Sequence, residues 1–285
     1  MPLGKRSQIK CGQPSIMTKL SSLTRMGLQS RTRKTGQKMF YFGSNTKRDL
    51  TASSHFAIAS TALALAEEFD DARIFLLPSA PLFYPLSLQA RGSRLWIGNQ
   101  VISGTSGRDL TGEISAALVK SLGSSMVMIG HGERRRYFDD AEAIEAQIRQ
   151  AEESRLRILF CVGESQVVLD PQKLRTFLRR QLRPLSSVTT QLMLAYEPLF
   201  SIGIGGKAAA EGYVARTLSI LKQELNRINK SQIPILYGGS VNARNASSYA
   251  ALPNCDGLFV GRSAWSSRGL KAVFRAGYSG FQSKE

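Results

Sequence analysis

The sequence predicts a single (β/α)₈ barrel that follows a basic N-terminal extension. From residue 39 onward, eight short apolar runs alternate with longer amphipathic segments. Each run is nearly continuous in apolar residues, which is typical of strands buried on both faces of a parallel sheet. Eight such units within residues 39–285 match the usual size of a closed barrel, roughly 250 residues. An open, doubly wound parallel sheet is the alternative fold.

The apolar runs and the amphipathic segments define the predicted elements in chain order. The predicted strands cover residues 39–43, 74–78, 95–98, 126–130, 158–163, 192–196, 235–238 and 257–260. The clearest predicted helices cover residues 50–69, 139–155, 172–185 and 207–229. In the last of them, apolar residues recur at helical spacing, at Ala210, Val214, Leu218, Leu221 and Leu225.

The predicted extension, residues 1–38, carries nine Lys and Arg and no acidic residue, whereas residues 39–285 carry 29 basic and 21 acidic residues. A start codon assigned too early, or a disordered leader, is the favoured explanation, since Met39 begins the first predicted strand. An organelle transit peptide is the second. A nucleic-acid-binding arm is the least favoured, because the segment has no aromatic residue on which a base could stack.

The three cysteines, Cys11, Cys161 and Cys255, are widely spaced and form no CxxC pair. This usage is typical of a reducing compartment and predicts neither a disulfide framework nor a zinc site. The longest charge-free stretches, residues 50–66 and 74–90, are interrupted by polar residues or proline. We therefore predict no membrane span.

Polar side chains follow six of the predicted strands. In a barrel, the carboxyl ends of the strands and the loops after them form the one face where active sites lie. We therefore expect these side chains to converge on one site. They are Asn45 and Lys47, then His131, Glu164, Glu197, Ser240 and Arg262.

Two of these side chains lie in distinctive motifs. His131, in residues 129–135, begins a predicted helix and could be only a structural histidine; a zinc site is disfavoured because no Pro-Cys-x-x-Cys motif follows. Glu197 follows a buried strand, where a carboxylate is unfavourable unless it is used or paired. Pro198 and the glycine-rich residues 203–206 after it suit the hinges of a closing lid.

The segments after the seventh and eighth strands suit a phosphate group. Tyr-Gly-Gly-Ser-Val (237–241) and Val-Gly-Arg-Ser (260–263) contain small residues that expose backbone N–H groups, as phosphate sites of barrels do at this place. Two ordinary tight turns are the alternative. The first segment is not a nucleophile elbow, because Asn242 replaces the final glycine and no histidine follows.

Taken together, these motifs resemble the triosephosphate isomerase family, and the resemblance covers residues 39–285. It implies a TIM barrel and an aldose–ketose isomerase of small sugar phosphates. Six motifs, in the expected order, carry it: Ser-Asn-Thr-Lys (44–47), Leu-Thr-Gly-Glu-Ile-Ser (110–115), Ile-Gly-His-Gly-Glu-Arg-Arg (129–135), Cys-Val-Gly-Glu (161–164), Ala-Tyr-Glu-Pro (195–198) and Tyr-Gly-Gly-Ser-Val (237–241).

The resemblance also implies a role for each matching residue. Lys47 and Asn45 would bind the anionic substrate, with Glu133 as the ionic partner of Lys47. His131 would polarise the substrate carbonyl, and Glu197 would move the proton between neighbouring carbons. Neither a metal nor a redox cofactor is implied. The implied phosphate ligands are the backbone N–H groups of Gly203, Ser240, Gly261 and Arg262, and the implied supporting residues are Thr111 and Tyr237.

The resemblance further implies a cytoplasmic homodimer that acts in glycolysis and gluconeogenesis. In this family, the loop that contains Thr111 reaches into the neighbouring subunit. Here Arg108 and Asp109 stand where small uncharged residues are usual, and they could make that contact more polar or disfavour it if they stay unpaired. A monomer with an exposed loop is the alternative.

Some residues depart from the family pattern. Thr46 and Phe200 replace two usual tryptophans, Gly132 replaces a usual serine, and Arg262 stands where a second glycine is usual. The lid is also altered, at residues 204–208. Val-Gly-Arg-Ser-Ala-Trp (260–265) and the altered lid resemble the branch that isomerises erythrulose phosphates, so a four-carbon substrate is the alternative to a triose phosphate. A non-catalytic phosphate-binding barrel is the alternative of another class.

Overall fold

The computed structural model describes residues 38–202 and 206–284. The predictions for the N-terminal extension and for Gly203 lie outside the described residues, and the boundary at residue 39 stays a prediction. The strands are β1 (Phe40–Asn45), β2 (Ala72–Leu77), β3 (Trp96–Asn99), β4 (Met126–Ile129), β5 (Arg157–Val162), β6 (Leu192–Tyr196), β7 (Ile235–Tyr237) and β8 (Gly257–Val260).

The strands form one closed parallel barrel. Each pairs with its neighbours in chain order, and β1 also pairs with β8, so that Tyr41 lies opposite Gly257 and Ser44 opposite Val260. This last pairing confirms the predicted barrel and excludes the open sheet. Every predicted apolar run is a strand, and no boundary differs by more than two residues.

Helices cover the outside of the barrel. They are α1 (Ala52–Glu68), α2 (Ala80–Gln89), α3 (Ala116–Ser121), α4 (Gly132–Tyr137), α5 (Ala141–Glu153), α6 (Pro171–Leu182), α7 (Glu211–Arg227), α8 (Ala246–Ala251) and α9 (Ser267–Gln282). Short polar side chains accept backbone N–H bonds at several helix N-termini, as helix caps do; examples are Thr51, Ser115, Asp140, Asp170 and Ser266. Within the described residues, no helix combines the length and the apolar character needed to cross a membrane.

Helix α7 begins later than its apolar periodicity predicts. It starts at Glu211 rather than at residue 207, and Ala210 is the N-cap with extended backbone at ψ 135°. The Tyr249 hydroxyl donates to the carbonyl oxygen of Ala209 at 2.5 Å. This tertiary bond ties residue 209 to α8, so the segment before Glu211 stays out of the helix.

The interior of the barrel is filled by side chains. Phe75 and Phe259 stack with ring centroids 6.0 Å apart. A Cβ added at Gly43 would lie 2.1 Å from the Phe75 ring, so only glycine fits at that position of β1. Other interior residues are Leu77, Met126, Met128, Leu159, Cys161, Met193, Ala195 and Leu236. Because the interior is filled, a substrate can only be held at a rim of the barrel.

Candidate active site

The carboxyl ends of the strands surround one cavity of about 710 Å³. It lies where the sequence analysis places the site, and it brings residues from five strand ends together. Eight residues named from the sequence line it: Asn45, Lys47, His131, Glu133, Glu197, Ser240, Gly261 and Arg262.

Lys47 enters the cavity from the loop after β1. Its φ of +52° lies in the left-handed region, which a residue with a side chain adopts only when the surroundings hold it there. Its N–H donates to Asn45 Oδ1 at 2.9 Å, and its ammonium forms an ion pair with Glu133 Oε1. The cation is thus held at a defined place with about a quarter of its side chain exposed (28 %).

His131 is the N-cap of α4 and is almost fully buried. The backbone N–H of Glu133 donates to its Nδ1 at 3.2 Å. Because this bond needs a lone pair on Nδ1, the neutral ring carries its proton on Nε2. Nε2 lies 3.5 Å from Glu197 Oε1, so the ring presents its N–H toward the carboxylate and the cavity.

Arg135 fixes the loop in which His131 lies. Its Nε donates to the carbonyl oxygen of Gly130 at 2.6 Å, and its NH2 donates to that of Cys161 at 3.2 Å. Gly130 has a φ of +76°, where glycine is favoured. The turn that places His131 at the rim is therefore tied to the neighbouring strand β5.

Glu197 follows β6 and is only 4 % exposed. Burial raises the pKa of its carboxyl above the usual range, whereas the His131 ring, the Cys161 thiol and the Lys47 ammonium act in the opposite direction. Its Oε2 is buried and has no hydrogen-bond partner among the described residues. Such a carboxylate is a stronger base than an exposed one, because burial disfavours its charged form.

Glycines surround Glu197 and leave room for it. A Cβ at Gly163 would lie 1.9 Å from the Glu197 carbonyl oxygen, and a Cβ at Gly238 would lie 2.8 Å from its Cγ. A Cβ at Gly132 would lie 1.9 Å from Leu199 Cδ2. The glycine that replaces the usual serine of the family thus makes room for Leu199, next to the proposed base.

The loops after β7 and β8 form the other end of the cavity. The amide N–H groups of Gly239, Ser240 and Gly261 bind no acceptor within residues 38–202 and 206–284. Amides left free in this way can bind an anion. Arg262 lines the same end of the cavity.

Three residues named from the sequence do not line the cavity. Glu164 is 1 % exposed, and its Oε1 accepts hydrogen bonds from Tyr196 at 2.8 Å and Tyr213 at 2.7 Å; our expectation that it would converge on the mouth is wrong, because these two hydroxyls hold it inside. Tyr237 lies behind the cavity, and its ring packs 4.3 Å from that of Tyr249. Thr111 lies on the exposed loop between β3 and α3.

The sequence analysis missed several cavity residues. Trp265 Nε1 donates to the carbonyl oxygen of Asn45 at 2.8 Å, across 220 residues of chain, and no local pattern signals such a contact. Asp49 and Ser201 also line the cavity. The role of Gly238 could have been inferred from its place directly after a strand, since glycine at a strand end often marks a close approach.

Comparisons with known proteins agree with this geometry. A sequence model of the triosephosphate isomerase family matches residues 40–276. The chain belongs to the triosephosphate isomerase family. Its members are isomerases that interconvert aldose and ketose phosphates, so the predicted enzyme class is confirmed.

Individual relatives fall into two groups. The chain is 33 % identical to the triosephosphate isomerase of Protochlamydia amoebophila over 78 % of this chain and 88 % of that protein. It is 29 % identical to the L-erythrulose-1-phosphate isomerase of Mesorhizobium japonicum over 81 % of this chain and 94 % of that protein. With the triosephosphate isomerase of Campylobacter hominis, identity is 36 %, but the match spans 54 % of this chain and 64 % of that protein.

We predict that Gly238→Ala lowers kcat by roughly 10- to 100-fold, because the added Cβ would displace the Glu197 carboxylate from its place. KM should change little, since the substitution leaves Lys47 untouched. Steady-state kinetics measure both constants. Gly212→Ala is the matched control, because a Cβ there meets nothing within 4 Å; equal activities of the two variants would contradict the prediction.

Proposed function

We propose that this isomerase interconverts dihydroxyacetone phosphate and glyceraldehyde 3-phosphate by proton transfer through an enediolate. The observation that carries the proposal is the pair at the rim, with Glu197 Oε1 lying 3.5 Å from His131 Nε2. The cavity beside this pair ends in the amides of Gly239, Ser240 and Gly261, which bind no acceptor in the part of the chain that the structure describes. An isomerase of phosphorylated sugars needs a base, a hydrogen-bond donor and a group of amides that binds the phosphate.

Glu197 is the proposed base. Its carboxylate takes a proton from the carbon next to the carbonyl of the substrate, and the electron pair of that C–H bond forms the double bond of the enediolate. The same carboxyl then returns the proton to the former carbonyl carbon, while the hydroxyl proton of the first carbon passes to the former carbonyl oxygen, so that the carbonyl group moves from one carbon to the other. Burial raises its pKa, which brings its basicity closer to that required at neutral pH. Activity should therefore fall as the pH drops through this raised pKa, above the range of an exposed glutamate.

His131 is the proposed electrophile. The amide N–H of Glu133 binds its Nδ1, so the Nε2–H is free to donate to the carbonyl oxygen of the substrate. That hydrogen bond strengthens as the oxygen becomes negative in the transition state. The residue therefore contributes mainly to kcat.

Lys47 is the proposed anchor of the anionic substrate, and Asn45 and Glu133 hold it in place. The phosphate group would bind the amides of Ser240, Gly261 and Arg262, with the family's lid residue Gly203 as a further donor. A fixed cation near a dianion stabilises the ground state and the transition state alike. Lys47 therefore contributes to substrate affinity as well as to turnover.

A four-carbon ketose phosphate is the second candidate substrate. Two relatives matched over most of their length, from Mesorhizobium japonicum and Rhizobium etli, are L-erythrulose-1-phosphate isomerases. Arg262 and Trp265 line the cavity near the proposed phosphate site, where the family usually has a smaller residue at the first of these positions. A longer substrate would use the same proton transfer.

A barrel that only binds phosphate is the remaining alternative, and it fits the site less well. Such a protein has no use for a buried carboxyl group that faces a histidine in the cavity, because burial of a carboxylate is unfavourable for folding. Glu197 is such a group: it lines the cavity, its Oε1 lies 3.5 Å from His131 Nε2, and burial raises its pKa. We therefore favour catalysis over binding alone.

Turnover of three- and four-carbon sugar phosphates, measured side by side, tests the proposal. We expect the full-length protein to isomerise glyceraldehyde 3-phosphate with a higher kcat/KM than a tetrulose phosphate. Glu197→Gln should lower kcat by roughly 10²- to 10⁴-fold, because the amide cannot accept the proton. A folded Glu197→Gln variant with parental turnover would exclude this base, and a preference for the tetrulose phosphate would support the second substrate.

Substitutions of Lys47 and His131 should have different kinetic effects. Lys47→Ala should weaken the binding of both the substrate and inorganic phosphate, because it removes a positive charge that stabilises every bound state. His131→Gln should lower mainly kcat, because its hydrogen bond strengthens in the transition state. Calorimetry with phosphate and steady-state kinetics measure the two effects. The division of roles would be wrong if both variants behaved alike.

We also propose that the active form is a homodimer. The loop between β3 and α3 is closed at its base by the bond from Ser103 N–H to the Ile114 carbonyl oxygen, at 2.8 Å. Leu110 in this loop is 47 % exposed, and Tyr137 and Phe138, the last residue and the C-cap of α4, are 62 % and 72 % exposed. Large apolar side chains exposed beside a projecting loop suit a contact with a second copy.

Thr111→Arg should separate the dimer and lower turnover in parallel, because a bulky charge at the loop tip would oppose burial at the interface. Sedimentation at micromolar concentration and activity on the same samples measure the two effects. Ser187→Arg adds the same charge on an exposed turn at the other end of the barrel and should change neither. A fully active parental protein of monomer mass would refute the dimer.

We further propose that the enzyme acts in the cytoplasm, with a transit peptide in residues 1–38 as the alternative. Cys161 and Cys255 are buried and unbridged, which suits a reducing compartment.

A further inference from the structure

The strained backbone of Lys47 is held by bonds to its carbonyl oxygen. Ser79 Oγ donates to this oxygen at 2.6 Å, and Gln100 Nε2 donates at 2.7 Å. Both donors come from loops that follow other strands, β2 and β3. Since a φ of +52° is unfavourable for lysine by itself, these loops must stay in place if the Lys47 ammonium is to stay in the cavity.

A second histidine, His55, lies directly behind this segment. It belongs to α1, is 1 % exposed, and lies outside the cavity. Its Nε2 is 2.8 Å from Oγ1 of Thr46, the residue before Lys47, and 3.4 Å from the backbone nitrogen of Ser79. Its Nδ1 is 2.9 Å from the carbonyl oxygen of Thr51. One ring thus contacts the ends of β1 and β2 and the start of its own helix.

The hydrogen-bond partners of His55 determine which ring nitrogen carries the proton. The Thr51 carbonyl can only accept, so Nδ1 carries a proton. The Ser79 N–H can only donate, so Nε2 presents its lone pair. The Thr46 hydroxyl has two acceptors within reach, the Leu77 carbonyl oxygen at 3.4 Å and this lone pair at 2.8 Å, and it donates to the lone pair at the shorter distance. A neutral ring with the proton on Nδ1 satisfies all three contacts.

We propose that His55 and Thr46 are positioning residues for Lys47. The neutral imidazole holds Thr46 on one side and the backbone of Ser79 on the other, and Ser79 in turn holds the Lys47 carbonyl oxygen. The pair thereby keeps Lys47 in its left-handed conformation and its ammonium toward the anion. This inference rests on the proposed role of Lys47 as the anchor of the substrate.

Removing the Thr46 hydroxyl tests the inference. Thr46→Val keeps the shape of the side chain but cannot donate to His55. We expect the affinity for inorganic phosphate to fall and the KM for glyceraldehyde 3-phosphate to rise together, each by roughly 3- to 10-fold, the effect of one buried hydrogen bond. The kcat should change less. Thr46→Ser, which keeps the hydroxyl, should stay within about twofold of the parent.

The control variant removes a different threonine hydroxyl, that of Thr61 in α1. Thr61 Oγ1 donates to the carbonyl oxygen of Ala57 at 2.9 Å, far along the helix from Lys47. Thr61→Val should leave phosphate affinity and KM unchanged. If Thr46→Val does not fold, His55→Phe, which keeps a ring of similar width, gives the same comparison.

The same substitution in a Lys47→Ala background decides whether the effect passes through Lys47. With the ammonium absent, Thr46→Val should weaken phosphate binding no further. An equal loss in both backgrounds, or no loss in the full-length parent, would overturn the inference and leave the role of Lys47 intact. If Lys47→Ala itself leaves phosphate affinity unchanged, the proposed anchor fails and the inference fails with it.

Discussion

The Glu197 carboxylate lies inside the protein with no hydrogen-bond partner for one of its oxygens, and the surrounding structure accommodates it. Burial of such a group is unfavourable, and here it raises the carboxyl pKa. Glycines 163 and 238 leave it room, and the His131 ring stands 3.5 Å from its other oxygen. The proposed base therefore lines the cavity while burial disfavours its charged form, which is the combination that proton abstraction next to a carbonyl requires.

The barrel places this group at the same rim as the proposed anion site because its interior is filled. Phe75 and Phe259 occupy the centre of the barrel, so the interior has no room for a ligand, and the cavity that contains Glu197 lies at the rim. At the carboxyl rim, β6 carries Glu197, and the next two strands end in glycine-rich turns. The distance between Glu197 and the amides of these turns then depends on the spacing of neighbouring strands, which is roughly 5 Å.

Lys47 shows how strain in one residue depends on contacts from distant parts of the chain. Its left-handed backbone is held by Ser79 and Gln100, and the residue before it is bonded to His55. Where most relatives have tryptophan, this chain has Thr46. A small hydroxyl side chain there leaves the space behind Lys47 to a polar network. The reaction class is kept because the network acts on the backbone of Lys47 and leaves its ammonium unchanged.

The sequence by itself determined the eight strands, their order and the rim at which polar residues collect. Continuous apolar runs are a local signal, and parallel strands bring their carboxyl ends to one face whatever their side chains are. Motifs at those ends also identified Lys47, His131 and Glu197 as members of one site, and the structure brings them to one cavity. The residue roles remain proposals.

Only the tertiary structure decided which polar residues face the cavity and what holds them. Glu164 follows a strand just as Glu197 does, yet two tyrosine hydroxyls keep it inside. The first turn predicted for α7 is absent because Tyr249 binds the Ala209 carbonyl. Trp265 donates a hydrogen bond to the Asn45 carbonyl oxygen, 220 residues away in the chain. The backbone N–H of Ser79, after β2, donates to the ring of His55 in α1. These contacts depend on closure of the barrel and on side-chain packing between distant segments, and neither leaves a periodic or local trace in the sequence.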